Sequence, residues 1–236
     1  ENPVDGDWGD AAKWTNGVPI ASSDACIVAP GTYTVTIRPD YVPNVNLQTL
    51  RVGGASGTQT LVSGGYIILT DLTVGARGRM EIIPRMVPGS FRGLDASGSV
   101  LVEGFLSADF PSSTFLGNRG TLEVAPGGTL RATNGARLGG PNGTFTIRGT
   151  VELADGGSIY APAEVRGGTV RVTSGQGDLF NEGGILQDAT LDAASDANLI
   201  ISGNYAVEGT LLGSPQGGVY AFRSTFTAAA SGATFN

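Results

Sequence analysis

The sequence predicts an all-β chain wound as a β-solenoid with coils of about 20–25 residues, and three observations carry that prediction. The first is a recurring phrase, Gly-Thr or Gly-Ser followed by an apolar residue. It stands at Gly98-Ser99-Val100, Gly120-Thr121-Leu122, Gly143-Thr144-Phe145 and Gly168-Thr169-Val170, in steps that are nearly even. A second copy runs at Gly128-Thr129-Leu130 and Gly149-Thr150-Val151, and a looser one at Gly157-Ser158-Ile159 and Gly209-Thr210-Leu211. The second observation is short alternation of apolar and polar residues, the period of a pleated strand with one buried side, with no helical period anywhere. The third is composition: 38 of 236 residues are glycine, about twice the usual share of ~7 %, while 40 % are hydrophobic. That combination provides many tight corners and enough apolar surface for a core that each coil completes by stacking on its neighbours.

Residues 1–44 read as an N-terminal cap and first strand. They hold both tryptophans, the only lysine and five of the twelve prolines. An open solenoid end exposes apolar core and unpaired strand edge, and two indoles at Trp8 and Trp14 suit the covering of such an end. The alternative role for the pair is a platform on which sugar rings stack. Tyr33-Thr34-Val35-Thr36-Ile37 alternates strictly and is rich in β-branched residues, so it reads as a strand.

Residues 45–236 read as the coils. Leu47–Val52, Leu72–Val74, Arg79–Ile83, Thr121–Val124, Thr144–Arg148, Thr150–Leu153 and Thr169–Val172 are each stopped by Gly, Pro or an Asp-Gly pair. Residues 84–111 show little alternation until Ser99 and read as a longer loop or an irregular coil, the place where solenoids carry binding surfaces, and residues 178–198 read as a second acidic, less regular stretch. The C-terminal segment, Ser231 to Asn236, resembles an ordinary coil without capping residues. It suggests a parent protein that continues, or a partner over that end. The start at Glu1, without an initiator Met, suggests a processed segment.

Charge and missing residues narrow the function. There are 14 basic against 21 acidic residues, a net charge of −7. Nucleic acids and anionic membranes both demand a basic face, so neither is an expected partner. No stretch is apolar enough for a membrane-spanning helix, so no membrane insertion is expected. The chain has no histidine, which removes Ser-His-Asp and Cys-His catalysis and the commonest zinc ligand. Cys26, in the apolar context Ala25-Cys26-Ile27-Val28, reads as a small buried hydrophobe.

Carboxylate pairs remain. Glycoside hydrolysis uses two carboxyls about 5 Å or ~6.5–9.5 Å apart, and in a solenoid these would come from adjacent coils. Glu123 and Glu152 occupy similar places in Thr-Leu-Glu-Val and Thr-Val-Glu-Leu, as do Arg148 and Arg171 in their phrases. The alternative for all four is a solvated ladder of mixed charge. Calcium is the one cofactor considered, with Asp5, Asp7 and Asp10 as weak candidate ligands against a plain Asx turn. Thr-x-Thr pairs at Thr34/Thr36 and Thr144/Thr146 have the spacing of an ice-binding face, but the pair does not recur coil after coil in the sequence.

One resemblance adds to this. Trp8 and Trp14, then Thr15-Asn16-Gly17-Val18-Pro19, Asp24-Ala25-Cys26-Ile27-Val28, and Gly31-Thr32-Tyr33-Thr34-Val35-Thr36-Ile37 resemble the opening of large exported bacterial β-solenoid proteins, the autotransporter passengers and related adhesin-like surface repeat proteins. Leu47–Gly54 resembles their first coil. The resemblance is detailed over the segment from the cap through that first coil. It implies export and a right-handed parallel β-helix, without transferring any catalytic residue.

The expectation is therefore a non-catalytic extracellular or cell-surface module, structural or adhesive. Its partners would be a host-cell or matrix surface, or copies of itself. The alternative is a carbohydrate-active or carbohydrate-binding β-helix acting on polysaccharide. Arg85, Arg92 and Arg119, in and beside the irregular region, are its candidate binding residues, although arginine is a poor base because its pKa exceeds ~12.

Overall fold

A computed structural model describes residues 4–39, 44–83, 94–109, 115–116, 119–140, 142–180, 183–213 and 217–235. The chain is an all-β solenoid of about eight turns in which every strand pairing among the described residues is parallel. Each coil contributes strands to three stacks. The first stack runs through Ser23–Ile27, the second half of Val45–Val52, Asp71–Val74, Ser99–Val102, Arg119–Val124, Asn142–Ile147 and Ala163–Arg166. The second runs through Gly6–Asp7, Tyr33–Ile37, Gln59–Ser63, Gly78–Ile82, Phe105–Asp109, Thr129–Thr133, Thr150–Ala154 and Thr169–Ser174. Both continue into Gly184–Ala193. The third holds short strands, among them Ile67–Leu69, Leu94–Ala96, Arg137–Leu138, Ser158–Ile159 and Gln176–Phe180. The last two strands, Asn198–Gly213 and Gly218–Phe235, bend through all three stacks and pair with each other along their length.

Strand alternation puts one set of side chains inside, and parallel register turns that set into ladders. Val52, Val74, Val102, Val124, Ile147 and Val165 lie directly above one another in the first stack, all fully buried. Leu61, Met80, Leu106, Leu130, Val151 and Val170 do the same in the second. Burying each such side chain contributes about 1.5–3 kcal/mol, which is what a fold without long helices has to hold it together. Neighbouring coils differ in length. The step that brings Ala163 opposite Phe145 is much shorter than the one that brings Val100 opposite Leu72.

The corner between the first and second stacks has room for little but glycine. A Cβ on Gly149 would lie 2.4 Å from the carbonyl oxygens of both Ala125 and Gly128, and one on Gly128 would lie 2.2 Å from that of Val102. An earlier corner is closed by Gln59, which is fully buried. Its Oε1 accepts the Gly54 N–H at 2.6 Å, and its Nε2 donates to the carbonyls of Ser56 and Gly31. A buried amide with these bonds satisfied replaces a turn of secondary structure.

Several expectations from sequence need correction. The fourth phrase, Gly168-Thr169-Val170, belongs to the second copy rather than the first. Thr169 pairs with Thr150 in the second stack, whereas Thr144 is followed in the first stack by the Pro162–Ala163 segment. The described residues of 178–198 are more regular than expected, because Gln176–Phe180 and Gly184–Ala193 both hold their places in the stacks. Within 84–111, the described residues form three strands, Leu94–Ala96, Ser99–Val102 and Phe105–Asp109. One 3₁₀ turn, Ala11–Lys13, interrupts the cap.

Candidate functional site

The N-terminal end is built from Trp8 outward. Gly6–Asp7 adds a short strand beside Tyr33–Ile37, and the Trp8 N–H donates to the Thr36 carbonyl at 2.9 Å. This drives the Trp8 indole into the core, where it is fully buried. Trp14 packs edge-on against it, ring centroids 4.8 Å apart at 65°, and its Nε1 donates to the Trp8 carbonyl at 2.8 Å. The pair covers the coil end. A sugar platform needs an open indole face, and Trp8 offers none.

Beside Trp14 lies a cleft of ≈ 650 Å³ whose walls include Asp7, Asp10, Lys13, Cys26 and Tyr33. Cys26 is exposed rather than buried. Ala25 and Ile27 take the inward positions of Ser23–Ile27, and strand alternation then turns the residue between them to solvent. Tyr33 is largely buried, which pushes its phenol up from its ordinary value, partly offset by a bond from the Ala29 backbone.

The three cap aspartates do not converge. Asp5 Oδ1 accepts the Thr34 N–H at 2.6 Å, Asp7 Oδ1 the Gly9 N–H at 2.8 Å and Asp10 Oδ1 the Ala12 N–H at 3.0 Å. Asp7 Oδ2 also pairs with Arg38 Nε at 2.7 Å. The Asp5 bond ties the chain start to the strand Tyr33–Ile37, the Asp7 bond closes an Asx turn, and the Asp10 bond caps the 3₁₀ turn. Among the described residues no three acidic or cysteine side chains are placed to hold a metal ion.

Of the arginines named from sequence, Arg85 and Arg92 lie outside the described residues, and of Arg119 only the backbone is described, opposite Asn142. Glu123 and Glu152 do not meet. Glu123 belongs to the first stack, where its Oε1 is 3.7 Å from Arg148 Nη1. Glu152 belongs to the second, between Arg131 and Arg171. No glycosidase-type pair forms from them.

What sequence spacing missed is a two-column surface on the second stack. Thr129, Thr150, Thr169 and Thr190 stack in one outward column, with Phe105 before them and Leu212 after. In the adjacent outward column Arg131, Glu152, Arg171 and Asp192 alternate in sign. Arg171 Nε is 2.8 Å from Asp192 Oδ2, and Arg131 Nε is 3.9 Å from Glu152 Oε2. The threonine recurrence is legible only in register, because its steps are uneven. The neighbouring charges leave one threonine column, not the paired columns a Thr-x-Thr lattice needs.

Two further carboxyls are perturbed. The backbone N–H and hydroxyl of Ser99, at 2.6 and 2.7 Å, hold Asp71 below its ordinary value. Burial raises Asp178, against the opposing bond from Gln176 Nε2 at 2.9 Å. They lie in different stacks and form no acid–base pair.

Comparison with protein-family models, with curated proteins and with solved structures finds no match for this chain.

Proposed function

We propose that this chain is a non-catalytic rod module of a secreted or surface-displayed bacterial protein, structural or adhesive, whose outward faces meet a cell or matrix surface or other copies of the chain. The observation that supports this reading is the pairing of outward side chains with their own neighbours along the rod: Arg131 with Glu152, Arg171 with Asp192, Arg148 with Glu123 and Arg166 with Gln187. Groups committed to each other along a repeated surface suit display and contact better than turnover, which requires convergent groups in a water-excluding site. Purified protein incubated with a panel of neutral and acidic polysaccharides tests this, read by release of reducing ends and by absorbance of new double bonds. No turnover, with retention on matrix-coated surfaces, is the expected result; specific cleavage of any polysaccharide overturns it.

A second reading, a carbohydrate-binding module, is favoured by the cap cleft. Half-buried Trp14 beside Asp7, Asp10 and Lys13 combines an apolar wall with polar groups of both signs, the composition of a small polar-ligand site. A glycan array with wild-type and Trp14→Ala protein separates the two. Glycan binding lost in the variant favours the second reading, and no glycan binding favours the first.

A further inference from the structure

We infer that the second-stack face spanning Phe105 to Leu212 is a self-complementary surface that joins two copies of the chain face to face, with their rod axes antiparallel. Six successive rungs of the outward column read Phe105, Thr129, Thr150, Thr169, Thr190, Leu212. The sequence of chemical types over these six rungs is the same in both directions: apolar, four threonines, apolar, with the Arg79 guanidinium of the preceding rung lying 4.2 Å over the Phe105 ring. The adjacent column reads Arg131, Glu152, Arg171, Asp192, plus, minus, plus, minus. Reversed, it reads minus, plus, minus, plus.

A two-fold axis along the strand direction, between the rungs of Thr150 and Thr169, keeps each column opposite itself and reverses its order. It sets Arg131 against Asp192 of the second copy and Glu152 against Arg171. It sets Phe105 against Leu212. Every contact then occurs twice, the property of an isologous interface. The same axis accounts for Leu212, a leucine 42 % exposed on the rod surface. A parallel arrangement would instead place like charges opposite one another, so complementarity selects the antiparallel pairing.

The side chains have the reach. Arg171 and Arg131 are nearly half exposed, and a guanidinium fork can serve a carboxylate on its own ladder and one on a second copy together. The threonine column between the apolar ends is low enough to let two sheets approach to about 10 Å. The footprint is about 400 Å² per copy, six rungs of ~4.8 Å by one short strand, half the usual ~800 Å² of a stable interface. The dimer is therefore of the weak, transient class and is strengthened wherever the rods are held at high local concentration. It deepens the reading proposed above, in which outward faces meet other copies of the chain, and it closes at two copies. Pairing at an exposed strand edge would instead grow open-ended assemblies and ignore these charges.

Sedimentation equilibrium from low micromolar to low millimolar protein tests it, with circular dichroism confirming that each variant is folded. The wild-type mass rises to twice the monomer and no further, and added salt weakens the association. Glu152→Arg and Arg171→Glu singly abolish it, because each puts like charges opposite one another. The double variant E152R/R171E restores it: its column reads plus, plus, minus, minus and remains complementary across the axis while its own ladder is disrupted. In a Cys26→Ser background, F105C/L212C yields a covalent dimer with a bis-maleimide cross-linker whose span matches the sheet separation of about 10 Å. Those two positions lie five rungs apart in one chain, about 24 Å, too far for the same reagent to bridge within one copy. A strict monomer, open-ended assembly, failure of the double variant to restore association, or absence of the cross-linked dimer each overturns the inference.

Discussion

The cap and the middle of the rod satisfy the same requirements by opposite means. In the middle, from Thr129 to Ala193, each coil completes its hydrogen bonds and its core from the coils on either side: Thr150 N–H donates to the Gly128 carbonyl and Thr169 N–H to that of Gly149, both at 2.9 Å. At the cap there is no earlier coil among the described residues, and the chain supplies its own substitutes. Trp8 fills the space a coil's worth of aliphatics would fill, Asp5 takes the backbone N–H of Thr34, and Asp7 and Asp10 close their own turns. Repetition lets small residues suffice in one place, and its absence demands two indoles and three carboxylates in the other.

The largest effects should separate the two regions. Trp8→Ala removes the largest fully buried side chain of the cap and costs about 3–5 kcal/mol, and in a nearest-neighbour solenoid that loss falls on the first coils. Hydrogen exchange should show protection lost from Tyr33–Ile37 and retained at Thr150–Ala154. Leu130→Ala costs about 2–5 kcal/mol and should loosen coils on both sides of it. Trp8→Phe should be milder than Trp8→Ala, because Trp8 Nε1 has no hydrogen-bond partner among the described residues to lose. If both sites unfold the whole rod equally, the cap is no separate device.

Next comes Gly149→Ala, whose Cβ would press on two carbonyl oxygens at 2.4 Å. Overpacking of this kind costs about 1–3 kcal/mol, readable as a lowered thermal midpoint. The equivalent substitution at Gly127 in the same region meets open space and is strained only through its positive φ of 83°. The alanine at 149 should move neighbouring coils, whereas the one at 127 should not.

A pH titration distinguishes two aspartates by sign. Asp71 is held below 3.8, so its contribution is present above that value and lost as pH falls through its folded pKa. Asp178 is held above 3.8, so the folded state binds its proton more tightly than the unfolded state, and stability falls as pH rises from 3.8 through the folded pKa. Denaturation of Asp71→Asn and Asp178→Asn from acid to neutral pH should therefore show differences from wild type with opposite slopes: Asp71→Asn loses ground as pH rises, and Asp178→Asn gains it.

The smallest effect is expected at Arg148→Ala. The pair with Glu123 is 3.7 Å long and about half exposed, worth at most ~1 kcal/mol. A double-mutant cycle with Glu123→Ala should give a coupling near zero at high salt.

What could be read without coordinates was local. Alternation in Tyr33–Ile37, Leu47–Val52 or Thr121–Val124 names inner and outer residues because successive side chains on a strand must face opposite ways, and glycine pairs name the corners. The same rule, applied strictly, would have turned Cys26 outward; its apolar neighbours suggested otherwise. The place of Trp8 near the chain start suggested an end cover, and the structure shows its indole fully buried. What only the tertiary structure decided was which coil lies on which. Steps between coils are unequal, short from Phe145 to Ala163 and long from Leu72 to Val100, because corners differ in length while backbone bonds enforce register strand by strand. Equal spacing in sequence therefore aligned Thr169 with the wrong phrase and Glu123 with the wrong carboxylate. It also hid the palindromic face from Phe105 to Leu212, whose residues become neighbours only when hydrogen bonds between coils bring them into line.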